Sequence, residues 1–237
     1  MKTSAIIVTL NEEKYLPKVL DSLAVQTHKV DEIIVVDAGS VDKTTEIARK
    51  GKCKLILHHP PVGGQRNIGG KMASGDVLFF FDSDVKIPND YVEKCLRVMK
   101  KNTVELICPQ YVPFPGTKSE KITFKIINGL FWLAQKITPS GGGSGIVVTK
   151  KLFNRAGGFK GHFVYDDIEF IRRAARKGKF VMAWGIVLYV SDRRFKKYGI
   201  VHMTLTYILL SFFFALGFFK LAEVIKYSFG GYNRKIN

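Results

Sequence analysis

The chain has 237 residues, of which 46% are hydrophobic and 24% are charged, so it can bury the core of one large domain and carry an appendage. Its formal net charge of +17 predicts an anionic partner, and nucleic acid, nucleotide phosphates and acidic lipid headgroups all qualify. The cysteines are widely spaced, odd in number and without nearby histidine pairs, which argues against a disulfide framework or a zinc site: Cys53, Cys95 and Cys108.

Short apolar runs alternate with helical stretches through the first half of the chain. Strands are expected at 4–10, 32–37, 54–58, 77–82 and 104–112, and helices at 15–26, 42–49, 65–73 and 89–101. This alternation is typical of βαβ units and predicts an α/β fold, with a mostly parallel Rossmann-like sheet flanked by helices. Further on we expect a helix at 119–136, a flexible loop at 138–145, a strand at 146–149, a helix at 166–177 and a strand at 180–190.

The helix expected at 119–136 has an apolar face formed by Phe124, Ile127, Phe131 and Leu133. Packing of this face on the core is one interpretation, and a helix lying on a membrane interface is the other.

The C-terminal part differs from the rest, because residues 200–219 carry no formal charge. That length suffices for a helix to cross about 30 Å of hydrocarbon, and basic residues flank it on both sides. We therefore expect a globular domain at 1–198 and a membrane-spanning or membrane-anchoring helix with a basic tail at 199–237; a buried soluble helix is the alternative. The first apolar run is too short for a signal peptide, which places the globular domain on the cytoplasmic side of the cell membrane.

Asp82 and Asp84 follow a run of five apolar residues that reads as a strand buried on both faces. Ligands of open α/β sheets bind at the carboxyl ends of the strands, where these two carboxylates would converge. A shared divalent cation would relieve their repulsion. A simple polar turn after the strand explains the same three residues without a metal.

Polar clusters also follow the first two strands and open the helix before the strand that ends in Asp82. Asp37 can accept a hydrogen bond from a base N–H, and Gly39 lets the backbone approach a ligand closely. Ser40 or Asp42 can instead cap the following helix. Arg66 places a cation where a diphosphate could lie, although a surface salt bridge is the alternative.

These clusters together resemble the family 2 glycosyltransferases with the GT-A fold. The resemblance spans about residues 3–195 and rests on Thr9-Leu-Asn-Glu12, Asp37-x-Gly-Ser-x-Asp-x-Thr44, Arg66-Asn-x-Gly69, Asp82-x-Asp84, Gly157-Gly-Phe159 and Asp166-Asp-Ile-Glu-Phe-Ile-Arg-Arg173. Asp166 stands where the family more often has Glu, and Glu169 where it more often has Asp.

The resemblance implies a role for each matched position. Asp167 would be the catalytic base, Asp84 would bind Mg²⁺ or Mn²⁺, and Asp82 would contact the metal or the ribose. Positions implied in binding the nucleotide sugar, of UDP or GDP type, are Thr9, Asn11, Glu12, Asp37, Gly39, Ser40, Asp42, Arg66, Asp82, Asp166, Arg173, Arg193 and Arg194. An acidic helix N-terminus is the alternative role for Asp166 and Asp167.

The apolar C-terminal segment predicts a lipid-linked acceptor, such as a polyprenyl phosphate, because a membrane helix raises the effective concentration of such a substrate. The expected activity is therefore an inverting, metal-dependent glycosyl transfer at the membrane. A soluble or polysaccharide acceptor and a non-catalytic nucleotide binder are the alternatives. Nucleic acid is not an expected partner, since no nucleic-acid-binding module is recognisable.

Overall fold

One mixed sheet organises the residues that the computed structural model describes, which are 1–160 and 165–215. Its strands are β1 (Thr3–Thr9), β2 (Glu32–Asp37), β3 (Lys54–Leu57), β4 (Val77–Asp82), β5 (Val85–Lys86), β6 (Leu106–Phe114), β7 (Ile146–Thr149) and β8 (Phe180–Ser191). Within the described residues their order across the sheet is β3-β2-β1-β4-β7-β6-β8-β5.

The first half of the sheet is parallel, as the sequence predicts. β3, β2, β1 and β4 pair in parallel, with Val8 opposite Asp82 and Thr9 opposite Asp37, so their carboxyl ends meet at one edge. The second half departs from a mostly parallel sheet. β7 runs against both β4 and β6, and β5 runs against β8, while β6 and β8 are parallel.

Helices cover both faces of the sheet. They are α1 (Leu16–Ala24), α2 (Thr44–Lys50), α3 (Val62–Met72), α4 (Tyr91–Asn102), α5 (Lys118–Ala134), α6 (Lys150–Ala156), α7 (Asp166–Ala175), α8 (Arg193–Tyr198) and α9 (Ile200–Ala215). The sequence patterns predict most of these to within a few residues, but not the short elements β5, α6 and α8, which span only two to seven residues.

β4 lies at the centre of the core because its side chains alternate between the two faces. Phe79 and Phe81 pack on the side of α1 and α4. Phe80 points the other way, where its ring meets those of Phe153 and Phe159 at 5.7 and 5.1 Å. The five-residue apolar run is therefore buried on both faces, and the strand delivers Asp82 to a fixed position at its end.

α5 turns its predicted apolar face only partly toward the core. Phe124 is half-buried, and its ring lies 5.6 Å from that of Phe195, whereas Leu133 is exposed. A buried amide anchors the helix instead: Asn128 donates to the carbonyl of Tyr111 and accepts from its N–H, at 2.8 and 3.0 Å. Core packing thus accounts for one face of this helix only.

α9 begins directly after Gly199 and is the last element described. No helix in the described part of the chain is both long and apolar enough to cross a membrane. The rest of the predicted C-terminal segment, 216–237, lies outside the described residues.

Gly69 lets α3 lie directly on the sheet. A Cβ at this position would lie 2.5 Å from the Ile6 Cγ2 atom and 3.0 Å from the Val36 Cγ2 atom, closer than packed carbon atoms approach. Gly129, in the middle of α5, has open space at the same place.

The substitution Gly69→Ala should therefore lower the free energy of unfolding by about 1–3 kcal/mol, since α3 must move off β1 and β2. Gly129→Ala is the matched control and should raise it by up to about 1 kcal/mol, the helix propensity difference. Urea unfolding of both variants measures the two values. Equal effects of the two substitutions would contradict this packing.

Candidate active site

The ends of β1 and β2 are joined through Asp37, which is fully buried. Its carboxylate accepts hydrogen bonds from the N–H groups of Gly39 and Ser40 at 3.0 and 2.7 Å, and from the hydroxyls of Thr9 and Ser40 at 2.8 and 2.5 Å. These bonds occupy the positions at which a carboxylate accepts. Asp37 therefore fixes the loop after β2. A contact between its carboxylate and a nucleotide base would require the Ser40 hydroxyl to give up its hydrogen bond.

The loop after β1 is tied to the loop after β2 by reciprocal bonds. Asn11 donates its N–H to the Ser40 hydroxyl at 2.8 Å and accepts from the N–H of Val41 at 2.9 Å. Asp42 accepts from the N–H of Thr44, the first residue of α2, at 3.0 Å, but Lys43 is the N-cap residue and makes no side-chain capping bond. Gly39 has φ +95°, a conformation that favours glycine. Exposed backbone here leaves a surface beside Asp37 where a ligand could lie.

Arg66 lies among several carboxylates at the ends of β4 and α7. It lies in the second turn of α3, which begins four residues earlier, and only 5% of it is exposed. Its guanidinium donates to Asp82 at 3.1 Å and to Asp166 at 3.3 Å, and Asp167 also lies within its electrostatic range. A buried guanidinium therefore joins the end of β4 to the start of α7, through a buried pair with Asp166 and a partly exposed one with Asp82.

Asp166 and Asp167 differ in access. Asp166 is buried, and its Oδ2 atom has no hydrogen-bond partner among the described residues. Asp167 is partly exposed and accepts from the N–H of Ile168 at 2.8 Å. Burial raises the pKa of Asp166 to about 7, and it raises the pKa of Asp167 against the opposing charge of Arg66. As a residue Asp167 is the less enclosed of the two, and its Oδ2 atom lies beside Gly143.

Arg193 forms a second bridge, at the start of α8. Its Nη1 atom lies 3.0 Å from Glu12 Oε1, and its Nε atom lies 2.9 Å from Asp84 Oδ2. Burial raises the pKa of Asp84 and of Glu12, while the Arg193 charge lowers both. Arg194 adds a further positive charge near Asp84.

Asp82 connects the two bridges, since its charge acts on both Asp84 and Asp166. The carboxylates thus form one cluster, with two more acidic groups than arginines: Glu12, Asp82, Asp84, Asp166 and Asp167 against Arg66, Arg193 and Arg194.

This donor set fits Mg²⁺ or Mn²⁺ bound together with a substrate. No group of three or more potential ligands capable of holding a metal is found in the described residues. Mg²⁺, however, is usually held by one or two carboxylates plus the phosphates of its substrate, and Asp82 and Asp84 would provide the two. Carboxylates outnumber arginines in the cluster, which favours a bound cation.

Arg173 holds the protein scaffold instead of facing the cluster. Its guanidinium donates to both carboxylate oxygens of Glu169 at 2.8 and 2.7 Å, and to the carbonyls of Ala156 and Gly158. On the other side of this turn Asn67 bonds the backbone N–H and carbonyl of Phe159 at 2.7 and 2.5 Å. The structure therefore gives Arg173 a role in fixing α7, and with it Asp167, while its contact with the nucleotide sugar stays a prediction.

Sequence reasoning predicted the glycine loop at 140–145 but missed its position beside the acidic cluster. A Cβ on Gly143 would lie 2.6 Å from Arg66 Nη2 and 2.8 Å from Asp167 Oδ2. The loop is anchored, because the Ser144 hydroxyl accepts from the Asp82 N–H at 2.9 Å and the Tyr111 hydroxyl exchanges bonds with Gly142 at 2.9 and 3.1 Å. The loop that the sequence predicts as flexible is thus tied to β4 and β6 by hydrogen bonds. The run of small residues was the available signal, since only glycine fits there.

The family model for glycosyl transferase family 2 matches residues 4–177. The chain belongs to this family. Among curated proteins it is similar to the putative glycosyltransferase EpsH of Bacillus subtilis, with 34% identity over 48% of this chain and 35% of EpsH. It is also similar to the poly(ribitol-phosphate) beta-N-acetylglucosaminyltransferase TarS of Staphylococcus aureus, with 38% identity over 40% of this chain and 17% of TarS. The chain thus spans about a third or less of these relatives.

Solved structures support the GT-A fold of family 2. The mannosyltransferase PcManGT from Pyrobaculum calidifontis, solved in complex with GDP-Man and Mn²⁺, superposes with a TM-score of 0.71 over 97% of this chain and 65% of its own, at 19% identity. At that identity the likeness concerns the fold. The predicted α/β fold with flanking helices is confirmed, with a mixed sheet in place of a mostly parallel one.

The bridge from Arg193 to Asp84 generates a prediction for metal binding. Arg193→Gln removes the cation that neutralises Asp84 and Glu12, so the melting temperature in EDTA should fall. The rise in melting temperature on adding Mn²⁺ should become larger than in the unsubstituted protein, because the metal no longer competes with a guanidinium.

Arg97→Gln is the matched control, since it removes an equal charge from an exposed pair with Glu93. An unchanged Mn²⁺ effect in Arg193→Gln would show that Arg193 and the metal do not share these carboxylates.

Proposed function

We propose that the protein is an inverting glycosyltransferase that moves a sugar from a nucleotide-diphosphate sugar to a lipid-linked acceptor at the cytoplasmic face of the cell membrane. The single observation that carries this proposal is the cluster of five carboxylates around Arg66 and Arg193 at the carboxyl edge of β1 and β4. Family membership supports it.

A donor of UDP or GDP type fits the cluster, and the complex of PcManGT with GDP-Man and Mn²⁺ supports that class of donor. Asp84 and Asp82 would hold Mg²⁺ or Mn²⁺, which supplies positive charge to the diphosphate leaving group. Arg193 and Arg194 lie beside these carboxylates and would stabilise the same negative charge.

The reaction follows as a single displacement. An acceptor oxygen attacks the anomeric carbon, the bond from that carbon to the diphosphate oxygen breaks, and its electron pair leaves with the nucleoside diphosphate. Attack from the opposite face inverts the configuration. Where the acceptor is a hydroxyl, its proton passes to the Asp167 carboxylate, whose raised pKa makes it a better base.

A lipid-linked acceptor is favoured by the apolar segment that begins at Ile200 and by the basic surface of the chain. With a polyprenyl phosphate the nucleophile is already ionised, so Asp167 would orient it without taking a proton. A polymer acceptor is the second candidate, since one relative, TarS, is named as a poly(ribitol-phosphate) transferase.

Asp167→Asn should reduce kcat with a hydroxyl acceptor by about 10²–10⁴-fold, the usual contribution of a general base. The asparagine oxygen can still accept from the Ile168 N–H, so the fold and the donor site should be preserved. Stabilisation by UDP- and GDP-sugars with Mn²⁺, measured by thermal shift, should therefore remain nearly unchanged.

Asp90→Asn is the control, because Asp90 lies in an exposed pair with Lys94 and should keep full activity. Loss of donor binding in Asp167→Asn would contradict the role of base. The same assay separates the acceptors, because a much smaller loss of kcat with polyprenyl phosphate than with a hydroxyl acceptor would identify an ionised nucleophile. If the unsubstituted protein turns over no donor, it is a non-catalytic nucleotide binder.

The buried acidic pair predicts a pH dependence of kcat. Asp167 must be ionised to accept a proton, so activity is present above its pKa and is lost as pH falls through it. Burial raises that pKa, and the acid limb should therefore lie above the ordinary aspartate value of about 3.9. Measured at saturating donor and metal, the pH profile of kcat reports the titration of this pair in the loaded enzyme, and an acid limb at the ordinary value would contradict the prediction.

A further inference from the structure

α5 carries a second apolar face, directed away from the core. The large side chains on it are between 56% and 86% exposed and recur at helical spacing: Ile122, Ile126, Leu130, Leu133 and Ile137, the last just past the helix end. Single exposed apolar residues are ordinary, but a contiguous stripe of this kind marks an interaction surface. We call these residues the α5 stripe.

Basic residues border the α5 stripe. Lys118, Lys121 and Lys125 are exposed one helical turn apart along one edge of it, with Lys136 at the far end. No acidic residue of α5 is exposed, since its one glutamate, Glu120, is buried in the capping box with Thr117. An apolar band with a purely cationic border complements an anionic lipid surface, in which the lysine stems extend along the apolar band and the ammonium groups meet phosphate.

Both tryptophans of the chain lie at this surface. The rings of Trp132 and Trp184 are 5.9 Å apart, and both side chains are exposed. Trp184 projects from β8 where the register against β6 jumps between Pro109 and Gln110. Tryptophan is enriched at the boundary between membrane and water, because its ring is apolar and its N–H is polar.

The buried side of α5 leads to the active site. Asn128 bonds the backbone of Tyr111, the Tyr111 hydroxyl bonds Gly142, and the next residue lies against Asp167. On the adjacent α9, the side chains Val201, Leu205 and Leu209 are also exposed at helical spacing. A bilayer against α5 would therefore be linked to Asp167 through the contacts of Asn128, Tyr111 and the glycine loop.

We infer that the α5 stripe, with its lysine border and the pair Trp132 and Trp184, docks flat on an anionic bilayer. The inference deepens the proposed function, because it names the surface that would present a lipid-linked acceptor to Asp167. The inference concerns α5 and not the C-terminal segment, whose helix α9 lies next to α5. That segment could hold the chain to lipid by itself. The test must therefore report on α5 and not on membrane binding as a whole.

Tryptophan fluorescence provides that test, since both fluorophores lie on the surface. The full chain is mixed with vesicles of phosphatidylcholine and phosphatidylglycerol whose acyl chains carry bromine, which quenches tryptophan on contact. We expect a blue shift and quenching. The variant I122E/I126E/L130E should need about tenfold more lipid or more for the same quenching, because charged groups resist entry into hydrocarbon. K118Q/K121Q/K125Q should lose most of the dependence on phosphatidylglycerol.

V25E/L57E/M72E is the matched control, since it places the same charges at exposed apolar positions elsewhere, and it should be quenched like the unsubstituted chain. Stabilisation by nucleotide and Mn²⁺ verifies that each variant is folded. Absence of quenching in the unsubstituted chain, or equal quenching of the two glutamate variants, would overturn the inference. So would a lipid-free dimer that I122E/I126E/L130E dissociates while its quenching stays unchanged.

Asp167→Asn, in contrast, should be quenched normally whatever its activity. A protein that docks but transfers no sugar would refute only the proposed function.

Discussion

Arg66 connects parts of the fold that are far apart in the chain, because its guanidinium lies between Asp82 at the end of β4 and Asp166 at the start of α7. Without it, Asp166 and Asp167 would lie side by side with no counter-charge, and their pKa values, which burial already raises, would rise further. Losing one partner of such a buried pair typically costs about 3–5 kcal/mol. Arg66 therefore holds the acidic cluster together, and its charge lowers the pKa of Asp166 and Asp167 against the effect of burial.

The arginines on the two sides of the cluster have different surroundings. Arg66 and Asp166 are each only 6% exposed in their side chains, whereas that of Arg193 is 34% exposed. Arg66 is thus a buried counter-charge near the proposed base, and Arg193 is a more accessible one near the proposed metal ligands.

Sequence patterns predicted the elements whose signal is local and repeated. The apolar run of β4 and the alternation of β1 to β4 gave the sheet edge, and hence the gathering of Glu12, Asp82 and Asp84. What could not be predicted depends on contacts distant in sequence. β7 is antiparallel to both of its neighbours, β4 and β6, and its own four residues do not indicate this. Gly143 belongs to the site because its loop approaches Arg66 and Asp167 closely. A motif likewise cannot distinguish an arginine that contacts substrate from one, such as Arg173, that bonds its own backbone.

α5 shows how one amphipathic helix can serve two surfaces. Of the predicted apolar face, Phe124 packs beside Phe195, whereas Leu133 is exposed and belongs to the α5 stripe, which follows a different line around the same helix. A soluble helix needs only one apolar face, and Asn128, with its two backbone bonds, already fixes α5 to β6. Asn128 bonds Tyr111, and Tyr111 bonds the glycine loop. A displacement of α5 on membrane contact would therefore shift the residues that border Asp167. The surface we assign to lipid and the site we assign to transfer are therefore parts of one connected structure.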